Sequence, residues 1–68
     1  MSFVIAFDIP RSEQTERRRL HRELVRGGAV RIQDSFWRSE KIKFLIELGM
    51  RIKKIGGRAT ILEEKFLF

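Results

Sequence analysis

The chain opens on MSFVIAFDI, a β-branched and aromatic run stopped by Pro10. It is too short for a stable helix and apolar on both alternating faces, so it reads as a central strand. Phe3, Ile5, Phe7 and Ile9 point to one side and Val4, Ala6 and Asp8 to the other, so both sides of the sheet need cover near this strand. Ser12 is placed to cap a helix over residues 13–26, with Glu13 and Glu16 in its first turn and Gly27-Gly28 as its stop. Leu20, Leu24 and Val25 are its core-facing positions. Ala29 to Arg38 alternates Val30 and Ile32 against Arg31 and Gln33. It then breaks phase at Asp34-Ser35 before Phe36-Trp37, which predicts two short strands joined by a tight turn or bulge. Ser39 starts a second helix whose stripe is Ile42, Leu45, Leu48, Gly49, Ile52 and Ile55; Lys53 and Lys54 suit its C-terminal dipole and Gly56-Gly57 ends it. Arg58 to Phe68 reads as a fourth strand with a short apolar extension, Phe66-Leu67-Phe68, expected to pair with the edge of a second copy or to fold back as a fifth strand.

This order, βαββαβ, predicts one α+β domain over residues 1–68 of ferredoxin-like architecture, an antiparallel sheet with two helices on one face. Sixty-eight residues give a thin core, because a domain of this size buries only about 60% of the surface its unfolded chain exposes. With no cysteine and no Cys/His cluster, self-association is the remaining staple, so a homodimer is expected. The absence of cysteine, of a signal-peptide pattern and of any apolar run long enough to span a bilayer predicts a cytoplasmic protein with no membrane partner.

Charge adds a partner class. Fifteen Lys and Arg against nine Asp and Glu leave a net charge of +6 and a pI near 10.8, which favours polyanions and above all nucleic acid. Arg17, Arg18, Arg19, Arg22, Arg26, Arg31 and Arg38 supply planar, bidentate donors suited to phosphates, although an arginine-rich helix is also simply well solvated. Phe36 and Trp37 could stack on bases, while one of them is needed to fill the core. His21, next to core-facing Leu20, suits a surface or packing role better than that of a general base.

Asp8 is the candidate for chemistry. At the end of a strand with apolar neighbours, a carboxylate is costly unless a hydrogen bond, a cation or a metal offsets its desolvation. Hydrogen bonds from the start of the first helix would explain it structurally. Alternatively, a dimer that stacks two open sheet faces about a twofold axis brings both Asp8 side chains together. A shared Mg²⁺ or Mn²⁺ would then relieve their repulsion and activate a water against a phosphodiester. Asp34 could add a second carboxylate, though at a hairpin break it reads better as a turn residue. No dinucleotide fingerprint, P-loop, zinc-protease motif or nucleophile elbow occurs.

The opening FVIAFDIP, the Arg-rich first helix ending in Gly-Gly and the segment V-R-I-Q-D-S-F-W together resemble the CRISPR-associated Cas-two family over roughly residues 3–38. That resemblance implies a small ferredoxin-like homodimer of antiviral defence, described as a metal-dependent endonuclease and as the partner of the Cas-one integrase in spacer acquisition. It implies a metal-associated, catalytic aspartate at Asp8, where Phe7-Asp8-Ile9 stands for the family's Tyr-Asp-Ile, and basic nucleic-acid-binding positions at Arg17, Arg19 and Arg31. Asp34 stands where the family usually has an aromatic, and the chain is shorter than most members. VapD-type ribonuclease toxins share the architecture. Two further readings are a DNA-holding scaffold without catalysis and an RRM-like single-strand RNA binder, the latter opposed by QDSFWRS, which lacks that module's glycines and spaced aromatics.

Overall fold

A computed structural model describes residues 1–65. The apolar extension expected at 66–68 lies outside the described residues. Strands β1 (Ser2–Asp8), β2 (Val30–Gln33), β3 (Phe36–Ser39) and β4 (Arg58–Glu64) form one antiparallel sheet in the order β2-β3-β1-β4. Helices α1 (Gln14–Arg26) and α2 (Ile42–Lys54) supply the helical layer, giving the ferredoxin-like α+β architecture.

Register explains why both faces of β1 are apolar. On the helix side Ile5 lies between Trp37 and Ile61, and Phe7 lies beside Ala59. That row meets Leu20 and Leu24 of α1 and Leu45, Leu48 and Ile52 of α2 in one core cluster. On the other face Val4 lies between Arg38 and Leu62, Ala6 between Phe36 and Thr60, and Asp8 beside Arg58. Among the described residues no helix covers this face, yet Val4 is only 6% exposed. Arg38 reaches across β1 to Glu64, with Nε–Oε1 2.6 Å and Nη2–Oε2 2.8 Å, and the stems of this bidentate pair shield Val4. The bonded carboxylate raises the Arg38 pKa above its ordinary value.

The local signals fall near their expected positions, with instructive shifts. A single 3₁₀ turn, Arg11–Glu13, precedes α1, and Ser12 makes no capping bond. Pro10 fixes the entry, its carbonyl accepting the Glu13 N–H at 2.9 Å, so the turn tightens before the α-helix begins. Ser39 is the buried last residue of β3, and its Oγ accepts the Lys41 N–H one residue ahead of α2. Val25, expected on the core face, is 58% exposed, because Leu20 and Leu24 already fill the narrow stripe of α1. The phase break in the hairpin is a register shift between Arg31 and Gln33, followed by Ser35 in the left-handed region at φ 63°. This bulge re-aims β2 and closes the turn.

Candidate nucleic-acid interface

The two sides of α1 carry different charge chemistry. Glu16 and Glu23 face α2, where Arg51 donates to Glu23 at 2.6 Å and lies 4.0 Å from Glu16. Arg19 belongs to this side, since its Nη1 meets Glu16 Oε1 at 3.2 Å. The acidic residues of the helix are thus occupied in tying the two helices together. Arg17, Arg18 and His21 lie on another side and, with Thr15 and Arg22, line a groove of about 490 Å³, while Arg22 also borders the Arg19, Glu23 and Arg51 side.

That groove adjoins a smaller cleft. Arg17 and His21, one helical turn apart, also line a cavity of about 170 Å³ together with Phe7 of β1, Arg31 of β2, Asp34 and Ser35 of the hairpin turn, and Trp37 of β3. Trp37 is 3% exposed, so it is the apolar back wall and a core residue, unavailable for stacking on a base. His21 meets it edge-on, with ring centroids 5.2 Å apart and planes at 84°, the favoured geometry for two aromatic rings. Arg17 is held from behind, its Nη2 donating to the Ile9 carbonyl at 3.1 Å. Arg31 pairs with Asp34 across the turn.

Of the expected phosphate-binding residues, Arg17 and Arg31 therefore converge on one cleft, while Arg19 lies with the ion pairs facing α2. Asp8 is elsewhere again. Successive strand residues point to opposite faces, so Phe7 lines the cleft and Asp8 lies on the uncovered face beside Arg58. Asp8 is exposed, which corrects the expectation that apolar neighbours desolvate it. Its neighbour Ile9 is 3% exposed, so the exposure belongs to the face on which Asp8 lies and not to the end of the strand as a whole. No hydrogen bond from the start of α1 to Asp8 is present among the described residues.

A metal needs more ligands than one chain gathers here. Among the described residues no group of three His, Cys, Asp or Glu side chains is placed to hold one, and the single exposed carboxylate of Asp8 supplies too few oxygen ligands for a divalent cation on its own. Among the same residues no helix is long and apolar enough to cross a membrane.

No protein-family model matches this chain, and no curated protein matches its sequence. The function therefore rests on the residues and their placement.

His21, Phe7 and Ser35 are the members of the cleft that pattern reading does not single out as ligand-facing. The i, i+4 spacing of Arg17 and His21 is the available signal, but the meeting of α1 with the hairpin turn is a tertiary event.

Proposed function

We propose that this chain is a Cas-two-like nucleic-acid-binding protein that works as a homodimer, gripping phosphates through the basic side of α1 and the β2–β3 hairpin. The observation that carries this reading is the convergence of Arg17 and Arg31, from separate elements, on one cleft continuous with the Arg18–Arg22 groove. Guanidinium groups so arranged suit phosphate oxygens, and their charge adds to the overall +6. Binding of this kind releases counterions. The double variant Arg17→Gln/Arg31→Gln is expected to lower the slope of log K against log salt by about 2, roughly one unit for each phosphate that is no longer neutralised. Fluorescence anisotropy of a labelled oligonucleotide across a salt series measures it, and an unchanged slope would remove these residues from the interface.

Cleavage is the second part of the reading, supported by the position of Asp8 on the sheet face opposite α1 and α2. Stacking that face on a second copy about a twofold axis would add the partner's aspartate, and the pair would offer Mg²⁺ or Mn²⁺ the ligands one chain lacks. In acquisition of spacers the same dimer would hold DNA for the Cas-one integrase. An RRM-like role fits less well, because among the described residues the open face carries a single aromatic, Phe36, which is half-buried.

The test uses wild type and Asp8→Ala with labelled single-stranded RNA and duplex DNA, in Mg²⁺, Mn²⁺ or EDTA. Cleavage that requires both metal and Asp8, with binding retained in the variant, is the expected result for a nuclease. Equal binding by both proteins with no cleavage leaves a DNA-holding scaffold, and absence of binding by wild type overturns the proposal as a whole.

A further inference from the structure

We propose that the cleft between α1 and the β2–β3 turn is a binding site for a phosphate monoester, with Arg17, His21 and Arg31 as its donors, so that the protein engages the phosphorylated end of a strand. The inference deepens the nucleic-acid reading above and rests on it for the identity of the ligand.

Its shape is the first reason. A phosphodiester inside a strand leaves on both sides, so it needs an open track such as the Thr15–Arg22 groove. The cleft is a concave space of about 170 Å³ backed by Trp37 and Phe7, which suits a terminal group. Through the shared residues Arg17 and His21 it continues into the larger groove lined by Arg18 and Arg22. A strand whose end sits in the cleft thus has a basic path along which its following phosphates can run.

The donor set is the second reason. A phosphate monoester carries a charge near −2 at neutral pH and three acceptor oxygens. Two arginines and a histidine from α1 and β2 surround the space in which it would sit. Arg17 spends one Nη on the Ile9 carbonyl, which fixes the guanidinium while leaving its other N–H groups for a ligand. His21 is oriented by its contact with Trp37. Preset donors of this kind lose little freedom on binding. Asp34 is the opposing feature: it lines the same cleft, pairs with Arg31 and is 85% exposed at its side chain. An anion entering the cleft replaces Asp34 on Arg31, and Asp34 has open solvent into which to swing.

Trp37, the sole tryptophan of the chain, forms the wall of the cleft, so its fluorescence reports occupancy directly. Titrations would use a nucleoside 5′-monophosphate and one oligonucleotide sequence prepared with a 5′-phosphate, with a 3′-phosphate or with neither. Arg31 is the residue to vary, because it is half exposed on an edge strand and replacing it leaves the Arg17 anchor intact. A phosphorylated oligonucleotide is expected to bind about tenfold tighter than the unphosphorylated one, the equivalent of one charge-assisted bond. Arg31→Gln should erase that preference, so that the phosphorylated and unphosphorylated strands bind equally, each weakened by the loss of the one phosphate contact that Arg31 makes. Asp34→Asn should strengthen phosphate-dependent binding by about two- to fivefold, the size of an exposed ion pair relieved.

Saturable binding of the mononucleotide without binding of any oligonucleotide would keep the phosphate site, assign it to a free nucleotide and sink the nucleic-acid reading. Equal affinity for all three oligonucleotides, or a preference that survives Arg31→Gln, would overturn the end-binding inference and leave general nucleic-acid binding standing. If nothing binds, both fall.

Discussion

Trp37→Ala is expected to destabilise the domain by about 3–5 kcal/mol, the usual cost of truncating a buried aromatic. A chain of 68 residues has only roughly 3–10 kcal/mol of folding stability to lose, at typical values per residue. The variant should therefore be largely unfolded or close to its midpoint in water at room temperature. The reason lies in where β3 puts the ring. Trp37 is 3% exposed, pairs with Ile5 in the central strand and belongs to the core cluster containing Leu20 and Leu24. It is thus packed where sheet and helical layer meet. Trp37→Phe keeps an aromatic in that place and should cost about 1–2 kcal/mol through the smaller void it leaves. Urea denaturation followed by far-UV circular dichroism measures both, since neither variant retains tryptophan fluorescence. A Trp37→Ala protein with a wild-type midpoint would show that the ring does not support the core.

Gly57→Ala is the second large effect, expected to cost about 1–3 kcal/mol by overpacking. A Cβ at this position would meet the Asp8 carbonyl oxygen inside contact distance, the Ile52 Cγ2 at 2.7 Å and the Ile52 carbonyl at 3.0 Å. Two of these three neighbours are backbone, so relief requires moving the end of β1 or the last turn of α2. Gly57 also donates its N–H to the Ile52 carbonyl at 2.8 Å, which ties the turn into α2 and resists that movement. Gly28 separates steric from conformational cost. Its φ is +82° and a Cβ there meets nothing within 4 Å, so Gly28→Asn should be nearly neutral, asparagine tolerating the left-handed region. Gly57→Asn should be as damaging as Gly57→Ala. Equal melting temperatures for the two asparagine variants would contradict the steric account. Because the displaced backbone is that of Asp8, the Gly57 variants should also disturb any activity that depends on that carboxylate.

Several features of the fold follow from local signals alone. The run from Phe3 to Ile9 is apolar on both faces, and β1 is indeed central, with a strand on each side. The stripe Leu45, Leu48, Gly49 and Ile52 is buried as its helical spacing requires. The phase break at Asp34-Ser35 is a real turn, with Ser35 at positive φ. These signals are legible because strand alternation and helical periodicity each act over a few residues, so the chain carries them without knowledge of its partners.

Candidate site residues divide differently. Charge, residue type and family resemblance point to Asp8, Arg17, Arg19 and Arg31 as a set, yet they occupy three places: Arg17 and Arg31 at one cleft, Arg19 among the α1–α2 ion pairs, and Asp8 on the uncovered sheet face. Arg19 is separated from Arg17 by about 200° around the helix axis, a consequence of 3.6 residues per turn. Which of its sides meets Arg51 and which meets the hairpin depends on how α1 docks. The apolar sequence neighbours of Asp8 suggest desolvation, but burial at a strand end depends on what the adjoining strands and turns bring over it.

Sequence alone determined the α+β order of elements, the central place of β1, the apolar stripe of α2 and the basic character of the surface, because these follow from local periodicity and composition. Only the tertiary structure decided which charges share a space. The Arg17–His21–Arg31 cleft, the crossing of Arg38 to Glu64 over Val4, and the close approach of Gly57 to Asp8 each join residues far apart in the chain. Such contacts are fixed by strand register and helix docking, which no single segment encodes.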